Sequence, residues 1–193
     1  MKLYGASGHG KVIMSIIKSM GLKVSNIYDD RAPFELLGLP VEKFDGNETE
    51  NFIISVGNNK TRKKIVEQLN VQYTKIIHPS AIIDPSVSTG DGTVVMPGAV
   101  VNVDTKIGKH CIINTSASID HECVLEDFVH ISPNATLSGN VSVGEGTHIG
   151  SGAVIIPNIK IGKWVTIGAG AVIIKDVPDE VTVVGNPGRI LEK

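Results

Sequence analysis

His121 and Glu122 stand side by side inside NTSASIDHECVLEDFVHIS, residues 114–132. An imidazole beside a carboxylate can have one ring nitrogen held as the donor, which sets the tautomer and raises the basicity of the other nitrogen. A histidine prepared in that way can take a proton from an attacking amine or hydroxyl. The same two residues would also suit a solvated turn with no chemistry. Asn114 precedes the pair, His130 follows it, and His148 comes 18 residues after His130. Cys111 and Cys123 flank the pair and raise the question of a thiol nucleophile. No His-x-x-x-His or similarly close spacing occurs, so no metal is expected.

The elements that must hold these residues show in the spacing. From Ile77 to Ile173 every sixth residue is aliphatic, Thr89 alone excepted. Counting each of these as position 1, position 5 is also restricted, running from Ala81 through Cys111, Ala117 and Cys123 to Val177. Positions 2 to 4 collect Gly, Asn, Asp, Ser and Pro. A period of six does not suit an α-helix but suits a parallel β-helix, in which each hexad is a short strand and a corner. Positions 5 and 1 then point inward and position 6 outward. Such hexads resemble the left-handed β-helix acyltransferases. That resemblance implies the handedness and a triangular coil of three hexads, so that residues 18 apart stack roughly 4.8 Å from each other.

Both cysteines fall at the inward position 5, which argues for core packing rather than reactivity or a disulfide. His121 and Glu122 fall at a corner, positions 3 and 4. Gly139 is 18 residues after His121 and stacks on it, where an unhindered N–H could hold an oxyanion. His130 and His148 share position 6 and one outward face with Val94, Ile112 and Thr166, as an interface ladder or as ligand contacts. His78 opens the first coil in a structural place, and His110 reads as a solvated corner residue without a partner.

Residues 1–75 have a different texture, alternating strand and helix, which suggests an α/β domain with a small Rossmann-like parallel sheet. Residues 76–193 form the β-helix and its tail. GASGHG, residues 5–10, sits between a strand and the helical pattern KVIMSIIKSMG, as a phosphate cradle or a plain tight turn. Its glycine order is not the dinucleotide one. Asp29, Asp30, Gly57 and Asn58 fall at the ends of the next strands, where parallel sheets bind ligands. The net charge of -2 offers nothing to nucleic acid or an anionic membrane. No apolar run is long enough to span a bilayer and the N-terminus has no signal-peptide pattern, so a cytoplasmic protein is expected.

Taken together, YGASGHG, the Asp29-Asp30 pair, VGNNKTRKKI, the His121 stretch with LSGNVSVG, and VVGNPGRI resemble bacterial sugar-nucleotide N-acetyltransferases of the bacillosamine-pathway type. Perosamine N-acetyltransferases and sialic acid O-acetyltransferases are relatives of that family. The resemblance implies a homotrimer that uses acetyl-CoA to acetylate a nucleotide-linked amino sugar, with UDP the expected carrier and the 4-amino group the acceptor. It makes His121 the general base, tuned by Glu122, with Asn114 and His130 lining the acetyl-transfer site. It places Ser7, Gly8, His9, Asp29, Asp30, Gly57 and Asn58 in the nucleotide-sugar pocket, and Ser151 and Ala169 along the acetyl-CoA arm. Arg189 would reach CoA phosphates, although the tail reads Gly-Asn-Pro-Gly-Arg where many relatives carry Pro-Ala. The rival readings are O-acetylation of a sugar such as sialic acid and a non-catalytic scaffold that binds sugar nucleotides. The outward positions add to the trimer expectation. One face shows Ile82, Val100, Val154 and Val172, and a second shows Val94 and Ile112. Only the third carries lysines, Lys106 and Lys160. Two apolar strips left wet would call for partners.

Overall fold

A computed structural model describes residues 1–192. The N-terminal part is built on β1 (Lys2–Tyr4), α1 (Gly8–Ser19), β2 (Asn26–Tyr28), β3 (Phe34–Leu36), β4 (Leu39–Glu42), β5 (Phe52–Ile54) and α2 (Asn59–Gln68). The sheet order is β3-β4-β2-β1-β5, parallel except for the β3–β4 hairpin. α1 starts at Gly8 rather than at Lys11, so His9 and Gly10 lie in its first turn. Gly10 allows this: a Cβ there would meet the Gly5 carbonyl oxygen at 2.8 Å. Ile13, Ile16 and Ile17 point from α1 into the core, each burial stabilising by roughly 1.5–3 kcal/mol.

From Ile76 onward the chain winds as a parallel β-helix with three sheets, one per face. The pairs Val100↔Ser118, Lys106↔Val124 and His130↔His148 fall 18 residues apart, as the hexads require. Positions 1 and 5 form one continuous core that includes Cys111 and Cys123. Position 4 repeatedly takes positive φ, as at Asp104, Glu122, Asn140 and Asn158. The frame slips once. Val177 pairs with Ile161 and Thr182 with Thr166, both 16 apart. Val177 therefore takes a position 1 place, not the position 5 place its number suggests. Arg189–Ile190 then folds back antiparallel on Thr182–Val184 and covers the sheet edge.

The two parts are packed together, and this corrects two expectations. Val94 and Ile112 are not a wet strip. They are buried in one cluster with Ile76, Met96 and the apolar side of α1. His110 is not a solvated corner either. It is 4% exposed, stacked on Phe128 at 5.2 Å and met edge-on by Tyr73. The corner carrying His110, Phe128, Gly146 and Trp164 is where α2 docks. Arg62, 1% exposed, donates to the carbonyls of His110 and Phe128, and to Val56, Gly57 and the Asn59 side chain. Asn59 in turn donates to the carbonyls of Gly146 and Thr147. No helix of the described residues is long and apolar enough to cross a membrane.

Candidate active site

His121 and Glu122 occupy the corner between the Ser118–Ile119 and Val124–Leu125 strands. Nδ1 of His121 lies 3.0 Å from Glu122 Oε2. The carboxylate can accept only, so this contact assigns the proton to Nδ1 and leaves Nε2 as the base. The ring is about half exposed. It lies over Gly139: a Cβ there would meet Nε2 and Cε1 at 2.5 Å. Glycine at 139 therefore makes room for the imidazole as well as baring its own N–H. That N–H has no acceptor among the described residues. Asp120 fixes the corner by accepting the His121 N–H at 2.8 Å.

A second polar cluster lies on the face covered in part by the N-terminal domain. His130 and His148 stack with centroids 4.8 Å apart and planes 21° apart. Asn114 Nδ2 meets His130 Nε2 at 3.1 Å, and Ser132 Oγ meets His148 Nε2 at 2.7 Å. Burial, then the nearby His148 and Arg62, pushes His130 down to about 3, so the stack is neutral at pH 7. Both histidines line a cleft of about 390 Å³ with Gly57, Asn58, Lys60 and Trp164. Asn58 also caps α2, its side chain accepting the Thr61 N–H at 2.9 Å. His9 is enclosed nearby, and burial holds it down to about 4.

The third group is the cavity of about 270 Å³ at the ends of β1 and β2, lined by Ala6, Ser7, Asp29, Asp30 and Arg31 among others. Asp29 is fully engaged. Its Oδ1 accepts from the Arg31 N–H and Nε, and its Oδ2 from the Ala6 N–H and Arg31 Nη2. The Arg31 contacts lead in holding its carboxyl down to about 2. Asp30 accepts the Tyr4 hydroxyl at 2.5 Å. Gly8 opens the first turn of α1, with free space where a Cβ would be.

The fold joins Ser7, Asp29 and Asp30 in one cavity. It joins Gly57, Asn58 and His130 in the cleft, with Asn114 on His130. It does not bring His121, Glu122 and Gly139 to either place: within one chain they sit at another corner of the triangular coil. Ser151 and Ala169 line a third corner, whose neighbours Gly152 and Gly170 have open space beside them. Cys111 and Cys123 are buried, and burial pushes the Cys111 thiol up to about 12, so neither offers a thiolate. The sequence reading missed Tyr4, Arg31, Asn59, Arg62 and Trp164. The lone arginine of the lysine-rich KTRKK was the visible hint of Arg62.

A parallel β-helix wound from hexads is the build of the hexapeptide-repeat acyltransferases. Residues 1–69 match the PglD N-terminal domain, and residues 122–156 and 140–175 match the bacterial transferase hexapeptide (six repeats). The chain is 34% identical to a histidine variant of perosamine N-acetyltransferase from Caulobacter crescentus in complex with CoA and GDP-perosamine. That likeness covers 100% of this chain and 96% of that one, with a TM-score of 0.95. Against the acetyltransferase domain of PglB from Neisseria gonorrhoeae FA1090, in complex with acetyl coenzyme A, identity is 39%, coverage 98% of each chain and the TM-score 0.90. UDP-N-acetylbacillosamine N-acetyltransferase of Bacillus subtilis (strain 168) is 42% identical over 109 residues, 49% of this chain. That match spans 50% of the length of the curated relative. The chain belongs to the hexapeptide-repeat sugar-nucleotide N-acetyltransferases, with their left-handed parallel β-helix.

Proposed function

We propose that this protein transfers the acetyl group of acetyl-CoA to the amino group of a nucleotide-linked amino sugar, with a UDP-linked 4-amino sugar the first candidate. The observation that carries this reading is the His121 ring: Nδ1 is held by Glu122 at 3.0 Å and Nε2 is free beside the bare backbone of Gly139. The amine nitrogen attacks the thioester carbonyl carbon and His121 Nε2 takes the proton it sheds. The carbonyl oxygen becomes an oxyanion that the Gly139 N–H can meet. Collapse of that intermediate breaks the C–S bond, and the proton on His121 passes to the departing CoA sulfur. The products are the sugar amide and free CoA. Glu122 stabilises the imidazolium between the two transfers.

The nucleotide is placed with its base in the Asp29–Asp30 cavity and its diphosphate over the first turns of α1 and α2. The sugar then reaches towards Asn114 and the His130–His148 stack. His121 of the same chain stands at a different corner, so a second protomer supplies it. A homotrimer in which the His121 corner of one protomer meets the Asn114–His130 edge of the next completes three equal sites. Ser151 and Ala169 then border the acetyl-CoA arm at the seam.

The test is release of the CoA thiol with UDP-, GDP- and dTDP-linked amino sugars. His121→Ala is expected to lower kcat by roughly 10²–10⁴ with folding unchanged, as loss of a general base does. Wild-type turnover in that variant would remove His121 as the base. Acetylation of hydroxyls only, with no amide formed, would replace the reading by O-transfer.

A further inference from the structure

We propose that the buried side chain of Cys123 is a positioning group for acetyl transfer: it holds the carbonyl of Ser138 from inside the coil and so fixes the outward aim of the Gly139 N–H. This rests on Gly139 as the oxyanion donor of the function proposed above.

Cys123 is fully buried, and its Sγ lies 3.3 Å from the Ser138 carbonyl oxygen. That oxygen takes no backbone N–H among the described residues, so the thiol is its partner. Burial pushes the Cys123 thiol up, so it keeps its proton and can donate. The Ser138–Gly139 peptide is trans, since the cis bonds of the described residues are Ala32–Pro33 and Asn186–Pro187. A planar trans peptide points its N–H opposite to its C=O. With the carbonyl held inward on Cys123, the Gly139 N–H faces outward, at the corner where the His121 ring lies over Gly139. The bond to the oxygen also polarises the peptide and strengthens its N–H as a donor.

The fold alone does not ask for a donor at this place. Val141, one coil further on at the same inward position, has none to give, yet the neighbouring strands keep the register of 18. Where the fold does carry such donors, they are interchangeable. Cys111, under a different corner, makes the same bond at 3.2 Å to the Glu126 carbonyl. Thr93, Thr105 and Thr147 make it with hydroxyls, at 2.8, 2.9 and 2.7 Å to the carbonyls of Gly108, Asp120 and Gly162. The inward position thus accepts both Thr and Val, which share a shape and differ in the hydroxyl.

The experiment is steady-state thiol release by the full-length protein and its Cys123→Val, Cys123→Thr and Cys111→Val variants. The substrates are acetyl-CoA and whichever of the UDP-, GDP- and dTDP-linked amino sugars the wild type turns over. Cys123→Val is expected to lower kcat by roughly 10-fold, part of the 10²–10³ that loss of an oxyanion donor costs. KM for both substrates should hold, because the contact forms in the transition state. Cys123→Thr should restore kcat. Cys111→Val loses the same kind of bond under another corner and should keep it. Should Cys123→Val fail to fold, Cys123→Ala against Cys123→Ser makes the same comparison with smaller side chains and the same expected split. Wild-type kcat in Cys123→Val, equal losses in the Val and Thr variants, or an equal loss in Cys111→Val each overturns the positioning role and leaves Gly139 as the donor. A wild type that releases no thiol with any of these sugars overturns the proposed function, and this inference with it.

Discussion

Glu122 holds a backbone conformation that its side chain does not favour, with φ 59°. The residues stacked in the same corner column are Asp104, Asn140 and Asn158, types that tolerate the left-handed region better. A glutamate costs more there, up to about 1 kcal/mol, and strained positions of this kind gather at functional sites. Its compensation is the 3.0 Å contact with His121 Nδ1. Glu122→Asn should therefore leave the melting temperature unchanged or raise it, while lowering kcat by roughly 10-fold or more as the imidazolium loses its counter-charge. Thermal unfolding and thiol release measured on the same sample check this. A variant that melts early and is equally active would show that Glu122 serves the fold alone.

At the level of elements, α2 is fastened to the β-helix by side chains that bond backbone carbonyls. Arg62 bonds two corner carbonyls of the β-helix and Asn59 bonds two more. The same junction encloses His9, His110 and His130, which burial pushes down to about 4, 4 and 3, with the Arg62 charge next for His9 and His110 and His148 then Arg62 next for His130. Between pH 6.5 and about 4 the unfolded chain takes up protons on these rings that the folded chain refuses. Stability must fall as pH drops through that window, each unit of displacement being worth about 1.4 kcal/mol per ring. Denaturant unfolding followed by Trp164 fluorescence should show a lower midpoint at pH 5 than at pH 7. His110→Phe should flatten that slope, and equal midpoints would contradict the burial of these rings. The sequence reached the β-helix because a period of six is written into every coil, and the same period set Gly139 one coil from His121, the stacking that the structure has. It did not reach the α2 junction, because main-chain carbonyls leave no mark in the sequence. Nor did it reach the β3–β4 hairpin, whose two-residue turn has positive φ at both Leu37 and Gly38 but opens on Leu where such turns favour Asn, Asp or Gly. The solvated reading of His110 failed for the same reason: a corner is exposed only where no helix covers it.

For the whole molecule, the proposed trimer raises the question of where a second chain would meet the first. With Val94 and Ile112 covered by α1, the apolar face left open is the one with Ile82, which is 67% exposed, and Val100, Val154 and Val172. That face lies between the His121 corner and the corner of Ser151 and Ala169, so a partner seated on it borders both. A lysine at Ile82 or Val100 probes assembly, whereas one at Ile112 would break the fold of a single chain. The proposed division of the active site between protomers has a sharper consequence. A His121→Ala chain still has an intact nucleotide pocket and Asn114–His130 edge, and an Asp30→Ala chain still has an intact His121 corner. At low nucleotide-sugar concentration each alone should be poorly active, His121→Ala through kcat and Asp30→Ala through binding. If the proposed trimer forms, refolding the two together in equal amounts gives mixed trimers with some seams in which both contributions are wild type. Random assembly makes that roughly a quarter of the seams, so activity should return to roughly a quarter of wild type at saturating acetyl-CoA. Recovery should need subunit exchange, and simple mixing of preformed, stable oligomers should give none. If the refolded mixture stays as inactive as its parents, the His121 corner and the nucleotide pocket act within one chain, and the shared site is wrong.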